Sequence, residues 1–172
     1  VTVNSADLVV RNFVWRIEAI TPTCTTLDEA FHEVDPLAIE PQQAAGLTRA
    51  FWVEWLRSDA EHSVDGNTIC DDGAIRWATH HIRVTVRYAV KLTNALMHDV
   101  VLQDRHDLLE ALRSQANRVG YDASHTATDI GLGDRYRTSD SIERDPGADR
   151  SAGWGYWSYV SDWKCVISES EI

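Results

Sequence analysis

The chain has 172 residues, 44% hydrophobic and 25% charged, which fits one ordinary soluble domain and leaves little room for two. Sixteen Lys and Arg against 27 Asp and Glu give a formal net charge of −11, which argues against wrapping nucleic acid by bulk positive charge. No apolar run approaches the roughly 20 residues of a membrane span and no basic-then-apolar leader opens the chain, so a membrane, secreted or disordered protein is not expected.

Ser5 is placed to cap a helix, and Val9, Val10, Phe13, Val14 and Ile17 follow at helical spacing. Thr21-Pro22 stops that helix near Ile20. A strand with Phe13, Trp15 and Ile17 alternating is the competing pattern. Phe31 to Val34 reads as a short strand before an Asp35-Pro36 turn. Arg49 to Leu56 is compact, aromatic and β-branched, hence a strand. Residues 58–74 carry Asp59, Glu61, Asp65, Asp71 and Asp72 with no Lys or Arg, and Asp65-Gly66-Asn67 and Asp72-Gly73 are turn signals. This segment is expected to be a long polar loop.

The run from Ala78 to Val90 is the clearest element. Ala78, His80, Ile82, Val84, Val86, Tyr88 and Val90 share one face, and Thr79, His81, Arg83, Thr85, Arg87 and Ala89 the other. Alternation of that length predicts a half-exposed strand in an antiparallel sheet. A second helix is predicted over 99–119, capped by Asp99, with Val101, Leu108, Leu112, Ala116 and Val119 as its stripe and Gly120 as its stop. Thr126 to Tyr136 alternates again, with Ile130, Leu132 and Tyr136 on one face. Residues 138–153 are rich in Ser, Asp, Arg, Gly and Pro and predict a second long polar loop. The closing strand, 156–168, sets Trp157, Tyr159, Trp163, Cys165 and Ile167 together. The order predicts a single α+β domain over 1–172: an antiparallel sheet of about four to five strands with two helices packed on one face.

Chemistry-bearing residues are scattered. Cys24, Cys70 and Cys165 are far apart without a Cys-x-x-Cys pair, which reads as reduced thiols. Adjacent strand residues His80 and His81 face opposite ways and cannot share a metal. His98-Asp99 and His106-Asp107 have the look of metal phosphohydrolase fragments but lack the further ligands. There is no Gly-x-Ser-x-Gly elbow, and Gly131-Leu132-Gly133-Asp134 lacks a following helix to cradle phosphate. No catalytic, metal or cofactor site is therefore expected. The enzymatic alternative is a small curved-sheet protein with a pocket near His80, and an accessory module binding one cellular partner is a third class.

Two features point to assembly. Trp15, Trp52, Trp55, Trp77, Trp154, Trp157 and Trp163 are many for one small core, which places some of them, Trp154 and Trp157 among the candidates, at a subunit contact. Charge is also segregated. Residues 75–97 carry Arg76, Arg83, Arg87 and Lys91 and no acid, beside the acidic loop. Arg83 and Arg87 against Asp59, Glu61, Asp71 and Asp72 are accordingly candidates for a charge-matched subunit boundary.

The N-terminal helix, Arg49–Leu56, the charged strand Ala78–Val90, a helix, and the closing run Trp157-Ser158-Tyr159-Val160-Ser161-Asp162-Trp163-Lys164-Cys165-Val166-Ile167 together resemble the tail terminator proteins of long-tailed bacteriophages. The likeness lies in the order of elements and covers 5–56 and 75–168. It implies a non-enzymatic virion protein, assembled in the host cytoplasm, that forms a ring, typically a hexamer. Such a ring caps the tail tube protein, meets the head–tail connector or neck protein, and lets genomic DNA pass without specific binding. Asp140, Glu143, Asp145 and Asp149 are candidates for lining its channel. A neck or tail-tube protein of related fold is the nearest alternative.

Overall fold

The computed structural model describes residues 5–27, 30–36, 49–60, 76–91, 94–113, 120–121, 127–128, 132–144 and 154–169. Helix α1 (Ser5–Glu18) is followed by the two-residue strand β1 (His32–Glu33), then by β2 (Ala50–Ala60) and β3 (Arg76–Lys91). Helix α2 (Asn94–Arg113) precedes a short ladder, β4 (Gly120–Tyr121) with β5 (Ala127–Thr128). Strands β6 (Leu132–Arg144) and β7 (Trp154–Glu169) complete the chain. The main sheet has five strands in the order β1-β2-β3-β7-β6. Only the β1–β2 pair is parallel. The fold is α+β, as the element order predicts.

The spine of the sheet is β3 against β7, paired without interruption from Arg76↔Glu169 to Lys91↔Trp154. Their opposed alternations coincide, so one shared face is apolar: Ile82 lies beside Trp163, His80 beside Cys165 and Val86 beside Tyr159. That face forms the core with Phe51 from β2, Val9, Phe13 and Ile17 from α1, and Val101, Leu108 and Leu112 from α2. Phe13 meets Trp163 edge-on, 6.0 Å between ring centres, the arrangement favoured by the aromatic quadrupole. Helix α1 lies chiefly along β2, while α2 contacts α1 and the edge strand β6. Ile20 donates to the Ile17 carbonyl at 3.1 Å, a tightened last turn that closes α1 just before Pro22.

Four sequence expectations need correction. Helix α2 begins at Asn94, so Asp99 lies inside it and is not its cap. Gly120 is a strand residue in β4 rather than a helix stop, and 114–119 lie outside the described residues. The run at 126–136 splits into β5 and the start of β6, and β6 continues to Arg144, through the first half of the expected loop. A strand at the sheet edge is solvated on one side and needs no apolar alternation, so Ser139, Ser141 and Glu143 read as loop residues. For the same reason β2 extends through Ser58 and Asp59 to Ala60. The remainder of both loops, 61–74 and 145–153, lies outside the described residues.

Candidate functional site

Since both helices sit on one side, the opposite face of β2, β3, β7 and β6 is open among the described residues. It is built from the second half of each alternation. The rows across it are Trp52–Thr85–Val160–Ser141, Glu54–Arg83–Asp162–Ser139 and, one step along, Arg87–Ser158–Glu143. Together they line a shallow groove of about 530 Å³. Two arginines and four acids (Glu54, Asp140, Glu143, Asp162) make it strongly polar.

Arg83 grips Asp162 with two bonds, Nε to Oδ1 at 2.8 Å and Nη2 to Oδ2 at 3.1 Å. This fork holds the Asp162 carboxyl below the usual carboxylate range and raises the Arg83 guanidinium in return. Thr138 Oγ1 donates to the Asp162 carbonyl at 3.1 Å. The Arg87 guanidinium lies over the Trp52 ring, 5.2 Å from its centre, a cation–π contact. Trp52 also walls a second groove of about 420 Å³, with Glu33, Asp35 and Glu54. Partial burial, and then Glu18 nearby, push the Glu33 carboxyl up.

Asp140 borders the groove but turns its carboxylate to the helix side, where Nε of Arg105 in α2 and the Tyr159 hydroxyl donate to its Oδ2 and Arg137 Nη1 stands 3.1 Å away as an ion pair. Those bonds outweigh burial and keep its carboxyl low, while burial pushes the Tyr159 hydroxyl up to about 12. Of the four residues expected to line a channel, Asp140 and Glu143 line the open groove; Asp145 and Asp149 lie outside the described residues. Asp59 accepts from His81 Nε2 at 2.7 Å within its own chain. Glu61, Asp71 and Asp72 are not among the described residues. Trp157 packs against the core, and of Trp154 only the backbone, in β7, is described.

His80 is buried at the end of the core face, and its Nδ1 accepts a bond from Trp55 Nε1 at 3.0 Å. An indole nitrogen only donates, so this bond fixes a neutral ring with its proton on Nε2. Neither groove includes His80. His98, Asp99 and His106 are exposed on α2, whereas Asp107 bonds the Thr23 backbone at 2.8 Å. Cys24 and Cys165 are free thiols, and burial pushes the Cys165 thiol up to about 12; Cys70 is outside the described residues. Among the described residues no cluster of three or more His, Cys, Asp or Glu is placed to hold a metal ion, and no helix is long and apolar enough to cross a membrane.

Sequence reasoning found the β3 half of the open face and named Asp140 and Glu143 of β6, and it missed Glu54 of β2 and Asp162 of β7. Asp162 carried a usable signal: a charge in the alternation of the closing strand, on the side away from Trp163. Comparison with protein-family models finds no match, and no curated protein matches the chain.

Proposed function

We propose that this chain is a structural protein of a long-tailed phage virion, a tail terminator that closes into a ring, caps the tail tube and joins it to the head connector. The observation that carries the reading is the one-sided sheet: four long strands with both helices behind them and, in front, a polar face that no described residue covers. Its long strands run alternately up and down, so the two outer ones, β2 and β6, are antiparallel to one another. Copies placed side by side about an axis along the strands would therefore continue the same alternation, and a ring has no ends at which further copies add. The helices, being bulkier, take the wider outer circumference, and the open face turns to the channel. Glu54 and Glu143 then present carboxylates to passing DNA, and the arginines beside them are held by Asp162 and Trp52.

The test is the mass of the purified chain by analytical ultracentrifugation, with negative-stain images of the same sample. A hexamer-sized species that images as an annulus with a central hole is expected. A species that stays monomeric or dimeric at every concentration overturns the reading.

A further inference from the structure

The ring reading leaves open which surfaces meet, and the following rests on it. Among the described residues four large hydrophobic side chains are exposed: Trp55, Leu56, Leu102 and Tyr136. Three of them lie on the two strands that end the long part of the sheet, Trp55 and Leu56 on β2 and Tyr136 on β6. The short strand β1 covers β2 only at Ala50 and Phe51, so among the described residues nothing pairs with the outer edge of β2 beyond that point, or with that of β6.

These residues also lie at one height. Tracing the register across the sheet, Trp55 is in the row Ile82–Trp163–Arg137, and Arg57 is in the row His81–Lys164–Tyr136. Leu56 is the extra residue of the bulge between those two rows. A neighbour placed beside the sheet with little stagger therefore brings its Tyr136 level with Trp55 and Leu56. Trp55 is ready for contact. At 45% exposure it offers apolar area, while its bond to the buried His80 holds the ring in one orientation and spares the entropy of ordering it on docking.

We infer that the partner at this surface is a second copy of the chain, docked edge to edge, with the Trp55–Leu56 bulge on β2 of one copy level with Tyr136 on β6 of the next, Trp55 covering the helix side of the seam and Tyr136 its open side. The contact is heterologous, since each copy offers one edge of each kind, and that is the arrangement that generates rings.

The test uses Leu56→Lys, Tyr136→Glu and, as a control away from both edges, Leu102→Glu. Circular dichroism and thermal melting report whether each variant folds, and ultracentrifugation reports its mass. Leu56→Lys and Tyr136→Glu are each expected to stay monomeric where wild type is fully assembled, and Leu102→Glu to assemble normally. Mixing folded Leu56→Lys and Tyr136→Glu copies in equal amounts should restore the ring, because the altered edges, now opposite in charge, face each other while the unaltered edges still fit. If wild type assembles and both edge variants do too, or if Leu102→Glu abolishes assembly, this contact is wrong while the ring reading survives. If wild type never assembles, the ring reading falls and takes this contact with it.

Discussion

A guanidinium and a carboxylate with no exposed side-chain surface, Arg49 and Asp104, hold three separate stretches of chain together. Arg49 donates to Asp104 Oδ2 at 2.7 Å, to the Leu27 carbonyl at 2.9 Å and to the Cys24 carbonyl at 2.8 Å, and its guanidinium sits 5.7 Å from the Phe31 ring centre. Burial raises the Asp104 carboxyl in spite of that partner. Removing one member strands the other charge in the core, so Asp104→Ala is expected to cost about 3–5 kcal/mol in urea unfolding. Replacing both by apolar residues of similar volume should recover much of that loss, since a buried pair costs nearly as much to desolvate as it returns. Asp162 has the opposite sign. Its folded value lies below the unfolded one, so it contributes stability above about pH 4 that is lost as pH falls through the lowered value. With Arg83 substantially exposed the pair is worth no more than about 1 kcal/mol. The urea midpoint of Asp162→Asn, followed from pH 6 downward, should fall less steeply than that of wild type. Parallel curves would show that the pair contributes nothing.

Elements with both faces decided by burial were legible in the sequence, and those at the margins were not. The alternation of β3 located that strand to within two residues at its start and one at its end, because one side is core and the other is not. Helix α2 was found by Val101, Leu108 and Leu112, and all three are buried. Leu108→Ala and Leu112→Ala are each expected to cost about 2–5 kcal/mol, measured by chemical unfolding, and a loss well below 1 kcal/mol would contradict the packing of α2 on the sheet. The same stripe carried an unread signal, since Asp104 occupies the place between Val101 and Leu108 where a charge survives only if paired. The part of strand β6 beyond Tyr136 was invisible for a different reason. Its partners on the inner side are Tyr159, Ser161 and Trp163, but a side-chain bond to α2 joins its Asp140 to Arg105, with Arg137 paired to the same carboxylate, so polar residues perform a packing role. The open face was half legible: Arg83 and Arg87 follow from the alternation of β3 and Asp162 from that of β7, whereas their meeting with Glu54 and Glu143 depends on register between distant strands, which no local pattern encodes.

At the scale of the whole molecule, a chain of net charge −11 that is proposed to surround DNA must keep acids on the surface that DNA passes. In the open groove Glu54 and Glu143 supply them without an arginine bonded to either among the contacts described, while Asp162 is spent on Arg83. Reversing the sign of those two alone should turn a sliding surface into a binding one. Each phosphate neutralised by a new cation releases counterions, so the acquired affinity should fall steeply with added salt. Glu54→Lys with Glu143→Lys is therefore expected to leave assembly intact and to give duplex binding that wild type lacks, read by a salt series in fluorescence anisotropy. Topology then reports where the face lies. A closed ring admits a linear duplex by an end but cannot thread a covalently closed circle, so preassembled variant rings should hold linear DNA and release circles. Equal retention of circles would place the open face on the outside of the ring, and equal duplex binding by wild type would remove the case for a repelling channel.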